Sequence, residues 1–148
     1  MNADPQAAAT RPQSYPYWID EHVRFADLDM QGHVNNVAFA VYAESGRAAF
    51  LREIGLWVPQ APRYSVIVKL EVNYRRELLY PCAIRVGVRV LQIGRSSFTI
   101  GVGLFDGEHC AATIDTVHVR MDAATRRAVP LADDERARLL AYLGALDA

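Results

Sequence analysis

The sequence predicts an α+β domain in which one long helix packs against a five-stranded antiparallel sheet. Three observations carry this expectation. Apolar residues alternate with period two in one segment before and four segments after a single long helical pattern. The four later segments are joined by turns too short for crossover helices, which reads as a meander. The helical pattern is also rich in Ala, Ser and Gly, so a curved sheet can approach it closely.

Residues 1–14 are mostly Ala, Gln, Pro and Asn without periodicity, and are expected to be a disordered tail ahead of a single domain over 15–148. Tyr17 to Phe25 reads as a first strand, with Ile19, Val23 and Phe25 on one face and Asp20, His22 and Arg24 on the other. Val37 to Ile54 reads as the long helix, capped by Asn35 or Asn36 and stopped by Gly55. Within it, Ala38, Ala40, Ala43, Ser45, Gly46, Ala48 and Ala49 leave little bulk; the helix propensity of Ala explains part of this, but not Ser45 or Gly46. In the strand from Ser65 to Arg76, Val66, Val68, Leu70, Val72 and Tyr74 share a face. Ile84, Val86, Val88 and Val90 mark the next strand, which turns near Gly94. Phe98, Ile100, Val102 and Leu104 mark another, ending at the hairpin signal Asp106-Gly107, and the last runs from Cys110 to Met121. From Ala132 to Leu146, Leu139, Leu140, Leu143 and Leu146 form an amphipathic pattern behind the acidic first turn Asp133, Asp134 and Glu135.

With 148 residues, 51% hydrophobic, the chain has the size and composition of one globular domain. A formal net charge of −1 supplies no field for nucleic acid or anionic lipid. Cys82 and Cys110 form no CxxC pair, and no leader-like h-region or run of about 20 apolar residues is present. These features predict a soluble cytoplasmic protein with no disulfide framework.

The segment Asp27-Leu28-Asp29-Met30-Gln31-Gly32-His33-Val34-Asn35-Asn36 sits between the first strand and the long helix. Asp27, Asp29 and Gly32 match positions 1, 3 and 6 of an EF-hand loop, but position 12 is Ala38 and a strand precedes the loop. His22, His33, His109 and His118 show no metal-ligand spacing, so no metal is expected. An ordinary turn with a helix cap would use Asn35 or Asn36 and leave Asp29, Gly32 and His33 unexplained. Acyl chemistry uses them. A carboxylate near a helix N-terminus can attack a reactive carbonyl or orient a water, and Gly32 permits close approach of a ligand. A thioester suits so modest an apparatus.

This loop, followed by a long helix and four strands, resembles the hotdog-fold acyl-CoA thioesterases of the 4-hydroxybenzoyl-CoA thioesterase type, whose loop reads roughly DxDxxGxV. The resemblance covers about residues 17–135, including Leu70-Glu71-Val72-Asn73-Tyr74. It implies a five-stranded antiparallel sheet wrapped around one central helix, plus a C-terminal helix. It also implies Asp29 as nucleophile or general base, with Asp27 supporting it and Gly32 and His33 in the catalytic loop. Asn35 and Asn36 match the family's NN pair, one capping the helix and one touching the loop. Main chain around Tyr64 and Ser65 matches the oxyanion donor, and Arg75, Arg76 and Arg95 are candidates for CoA phosphates or simply solvated charges. The GHVNN variant is similar to bacterial long-chain acyl-CoA and plant acyl-ACP enzymes. However, Gln31 and Gly32 depart from the plant pattern, which favours a plain acyl-CoA mechanism.

The function this implies is hydrolysis of an acyl-CoA thioester to free acid and CoA without a cofactor, in a homodimer or homotetramer with the site between protomers. Phe39, Tyr42, Phe50 and Trp57 would set the depth of the acyl pocket. Two alternatives stay open: an acyl-thioester hydratase or dehydratase using His33 with Asp29, and a non-catalytic acyl-CoA-binding module.

Overall fold

The computed structural model describes residues 5–144. Eight elements follow in chain order: α1 (Pro5–Ala9), β1 (Tyr17–His22), α2 (Asn36–Glu53), β2 (Arg63–Tyr74), β3 (Ala83–Ile93), β4 (Ser97–Asp106), β5 (His109–Asp122) and α3 (Asp133–Leu140). The five strands form one sheet in the order β1-β3-β4-β5-β2, every neighbour antiparallel. The sheet wraps α2, as the resemblance implies.

The expected meander holds only for β3, β4 and β5. Instead of pairing with β3, β2 pairs with β5 and forms the far edge. Three strand positions separate β2 from β3, about 14 Å at ~4.8 Å per strand. Residues 75–82 can span that at about 3.3 Å per residue, so the connection needs no helix. Leu78 anchors it in the core at 1% exposure, and its carbonyl accepts from Val34 N–H at 3.0 Å. The crossing therefore runs beside the polar loop and supports it.

α2 spans 18 residues and buries Ala38, Phe39, Tyr42, Ala43, Gly46, Arg47, Phe50 and Leu51. The small residues serve close approach: a Cβ on Gly46 would stand 2.6 Å from Val86 Cγ1 and 3.2 Å from Val88 Cγ2. Gly46→Val should therefore destabilise the fold by about 1–3 kcal/mol through overpacking, read as a lowered Tm. An unchanged Tm would show that helix and sheet are not in contact there.

Val86, Val88, Val90, Ile100, Val102, Leu104 and Ile114 form the sheet's inner face, each fully buried. On β2 the expected single apolar face is broken, because the register slips between Ile67 and Lys69. A bulge puts an extra residue in one strand, so alternation changes sides there. Val72 and Tyr74 stay opposite Ile114 and Ala112, whereas Val66 falls opposite Val119 and faces away from the helix.

The stretch expected as a tail is in part folded onto the outer sheet face. Ala8 and Ser14 are buried, and Tyr15 donates from its hydroxyl to Ala9 O at 2.6 Å. The reason lies in β3 and β4, where Gly87 and Gly103 leave room for the Tyr15 ring; a Cβ on either would come within 2.7 Å of it. At the other terminus α3 stops at Leu140, and Leu146 lies outside the described residues. β1 begins at Tyr17 opposite Val88, so the edge of β3 beyond it is open. Val90 N–H donates to Tyr142 O at 2.9 Å and Val90 O accepts from Gly144 N–H at 3.1 Å, which draws the chain out beside β3. No helix among the described residues is long and apolar enough to cross a membrane.

Candidate active site

The polar loop is a tight hairpin closed by a bridge between Leu28 and Val34. Asp29 N–H donates to His33 O at 2.8 Å and Gly32 N–H to Asp29 O at 3.1 Å. The Asp29 carboxylate accepts from Gln31 N–H at 2.9 Å and His33 N–H at 3.2 Å, both on Oδ1. The residue is exposed, and Oδ1 is tied down while Oδ2 points away from those bonds. Gly32 has φ +82, a left-handed conformation that favours glycine, and nothing lies within 4 Å of where its Cβ would be.

Asp27 has the opposite character. It is 6% exposed, and its Oδ2 accepts from the Tyr42 hydroxyl at 2.6 Å and from Arg24 N–H at 3.0 Å. The Arg24 guanidinium adds bonds to Oδ1 at 2.9 and 3.2 Å. Burial alone would raise this carboxyl, but the bonds from Arg24 and Tyr42 outweigh it and hold it below the usual carboxylate range. Asp27 is thus an ionised brace between loop and helix at neutral pH. Its main-chain carbonyl accepts from Asn35 N–H at 2.8 Å, which sets where α2 begins.

Asn35 is the N-cap, its Oδ1 accepting from Val37 N–H at 3.0 Å. Asn36 opens the helix, and its carbonyl accepts from the Tyr74 hydroxyl at 2.9 Å. The His33 imidazole reaches the crossing segment, where Nε2 lies 3.2 Å from Glu77, both side chains partly exposed. Its main-chain N–H, not its ring, supports the Asp29 carboxylate. Phe25, Met30, Leu79 and Tyr80 make an exposed apolar rim beside the loop, with Phe25 edge-on to Tyr80.

Asp29, Gly32, His33, Asn35 and Asn36 are therefore brought together, and Tyr64 and Ser65 are not. These two lie at the opposite end of β2 from Tyr74, and Ser65 Oγ accepts from Arg120 at 3.2 Å. Nine residue steps of strand run from Ser65 to Tyr74, about 30 Å. The arginines divide likewise. Arg75 and Arg76 follow β2 at the loop end, whereas Arg95 is at the Ser65 end, its carbonyl accepting from Leu131 N–H at 2.9 Å.

Sequence reasoning missed the roles of Arg24, Tyr42, Tyr74 and Glu77. Tyr42 carried a signal, since it lies two helical turns beyond Asn35 and so on the face that meets the loop. Glu77 carried none, because only the crossing segment places it near His33. Among the described residues no group of three or more His, Cys, Asp or Glu is arranged to hold a metal ion.

A family model described as the thioesterase-like superfamily matches residues 23–139. A thioesterase from Thermus thermophilus, solved in complex with coenzyme A and zinc, is similar at 32% identity and a TM-score of 0.75, covering 87% of this chain and 95% of that one. A predicted thioesterase from Bacillus stearothermophilus is similar at 26% identity and a TM-score of 0.78, covering 86% and 96% respectively. An uncharacterized Bacillus subtilis protein, YsmA, is 28% identical over 130 residues, 86% of this chain and 87% of its own.

Proposed function

Because the chain belongs to the thioesterase-like superfamily, we propose that it hydrolyses acyl-CoA thioesters at the Asp29 loop. The observation that carries this is an exposed carboxylate fixed through one oxygen by two main-chain amides. Its free oxygen attacks the thioester carbonyl or takes the proton of a water that does. The tetrahedral oxyanion then collapses with cleavage of the C–S bond, and the thiolate leaves and is protonated. On the water route this gives the free acid directly; on the nucleophilic route it leaves an acyl–Asp29 anhydride, which a water then opens to the free acid, restoring the carboxylate. Either way the products are a free acid and CoA.

The oxyanion needs donors. At the start of α2, the amides of Val37 and Ala38 are already bonded to Asn35, at 3.0 and 2.9 Å. Tyr64 and Ser65 can serve only if a second copy brings them near. β2 supports this reading, because its outer edge is open over 12 residues and exposes Ile67, Val68, Leu70 and Tyr74 beside Val37 and Val41 of α2. A long apolar edge strand is a template for pairing. Antiparallel pairing of β2 with its copy across a two-fold axis sets the partner's Tyr64 and Ser65 against the loop end of this strand. The active unit is then a dimer, from which a tetramer can be built.

Thiol release from a panel of short, long and aromatic acyl-CoAs tests the activity. Absence of release from every member, or addition of water to a 2-enoyl-CoA without release, would overturn it in favour of a binding module or a hydratase. The assembly has its own test. Val68 is 60% exposed in the protomer, so Val68→Lys should leave the fold intact while converting the dimer to a monomer in sedimentation and lowering turnover at least about tenfold. A fully active monomeric variant would place the whole site within one chain.

A further inference from the structure

A second group of polar side chains lies beneath the sheet, away from the Asp29 loop, and the hydrolytic steps leave it unused. Toward the C-terminal half of α2, Arg47 shares a cavity of about 170 Å³ with Leu51, Trp57, Ser65, Ile67 and His118. Arg47 is 6% exposed, and its buried Nη1 has no hydrogen-bond partner. No carboxylate among the described residues forms an ion pair with it. Glu44, three residues earlier, is exposed but also lines this cavity, and its charge supports the guanidinium from there without forming an ion pair.

A buried guanidinium without a counter-ion is costly, and natural proteins keep such groups paired or ready to pair. His118 does not compete for the role. Burial, with a further push from the Arg47 charge, lowers its imidazole to about 4, so it is neutral at physiological pH. It stacks on Phe98 with ring centroids 4.8 Å apart, and Nε2 lies 3.0 Å from the Thr116 hydroxyl. Apart from the exposed Glu44, Leu51, Leu56, Trp57 and Ile67 make the rest of the lining largely apolar. A largely apolar cavity whose one buried charge is a cation, with the Glu44 carboxylate of its lining exposed to water, matches an apolar chain that ends in an anion. A carboxylate is the natural fit, because it accepts two parallel bonds from a guanidinium.

The position of the cavity says what that chain is, and this step rests on the thioesterase reading. Ser65 and Ile67 belong to the half of β2 that the proposed pairing sets beside the partner's Asp29. An acyl group held at the partner's Asp29 can then extend into this cavity. A volume near 170 Å³ is comparable to one that takes a benzene-sized group, ~150 Å³. We infer that Arg47 is a specificity-determining residue that selects acyl groups ending in a carboxylate, the half-thioesters of dicarboxylic acids.

The test separates binding from hydrolysis. Thioether analogues of CoA, which cannot be hydrolysed, are titrated calorimetrically into the protein in matched pairs with a carboxylate or a methyl at the chain end. The carboxylate-ended analogue should bind at least about tenfold more tightly at the best chain length. Arg47→Met, which keeps an apolar side chain of similar reach, should abolish the preference, and Arg47→Lys should keep part of it. If Arg47→Met fails to fold, the wild-type pair and Arg47→Lys still decide. Equal affinities in the wild type, or a preference that Arg47→Met leaves unchanged, would overturn the inference. Thiol release on the corresponding acyl-CoAs tells the two readings apart. Hydrolysis without carboxylate preference in binding sinks this inference and leaves the thioesterase standing. Carboxylate-selective binding without thiol release supports the selectivity of the cavity and sinks the thioesterase.

Discussion

Asp29→Asn should lower acyl-CoA hydrolysis by about 10²- to 10⁴-fold, the range lost with a positioned acid–base group, while leaving Tm close to wild type. Both halves follow from the loop geometry. The two hydrogen bonds that shape the turn fall on Oδ1, at 2.9 and 3.2 Å, and an asparagine carbonyl oxygen can accept both. What the substitution removes is the basic second oxygen that the proposed mechanism uses to attack the thioester or to deprotonate water. Asp29 is also exposed, so its loss opens no cavity. Asp27→Asn should behave differently, because Asp27 is buried and braced by Arg24 and Tyr42; stability should fall together with activity. Turnover by Asp29→Asn equal to wild type across the acyl-CoA panel would remove Asp29 from the mechanism.

Glu135→Ala should cost about 3–5 kcal/mol, the range measured when one partner of a buried ion pair is removed. Glu135 and Arg120 are 6% and 4% exposed, with Arg120 Nε 2.6 Å from Glu135 Oε2. The other carboxylate oxygen accepts from Arg63 at 2.7 Å and from Ala132 N–H at 2.9 Å. Arg120 continues to Leu56 O at 2.9 Å and Ser65 Oγ at 3.2 Å. This network fastens α3 to β2, β5 and the chain after α2, and without Glu135 it leaves Arg120 buried and unpaired. Chemical denaturation of the variant measures the loss; a change below about 1 kcal/mol, the size of an exposed pair, would mean the network is solvated. The pH dependence has a definite sign. Burial raises the Glu135 carboxyl, but the Ala132 amide and the two arginines outweigh it and hold it below its ordinary value. Its contribution is therefore complete above the unfolded carboxylate value of about 4.3 and is lost as pH falls through the lower folded value. Asp27 is depressed in the same direction. Wild type should thus lose stability on acidification below about pH 4 more steeply than Glu135→Ala.

Glu135 also marks a limit of reading the chain linearly. Its place in an acidic first turn suggested only a favourable helix start, and nothing local indicated that it would be buried against two arginines. Arg47, His118 and Arg120 are similar cases with a fainter trace. His118 and Arg120 share the parity of Ile114 and Thr116 on β5, so alternation alone put polar groups on the inner face. What Arg47 and His118 can do depends on the cavity they share at the far end of α2, and what Arg120 does depends on Glu135 of α3, contacts between segments distant in sequence.

The meander failed for a related reason. Short connections leave no room for helices and so favour pairing of consecutive strands, but residues 75–82 cross the sheet end with Leu78 as their anchor. Strand order is a property of the closed core, since β1 and β2 at opposite edges are what allow the sheet to wrap α2.

Linear pattern is enough to specify the α+β class, the long small-residue helix, the strand faces of β3 and β4, and the loop carrying Asp29, Gly32 and the Asn35 cap. Those features are local: periodicity, capping and turn chemistry act over a few residues, and the chain displays them directly. The folded chain alone reveals which strands adjoin, that Asp27 is a brace, that the His33 ring pairs with Glu77, and that Tyr64 and Ser65 lie about 30 Å from Tyr74. Those depend on contacts between residues distant in sequence, whose energies come from burial and pairing across the fold.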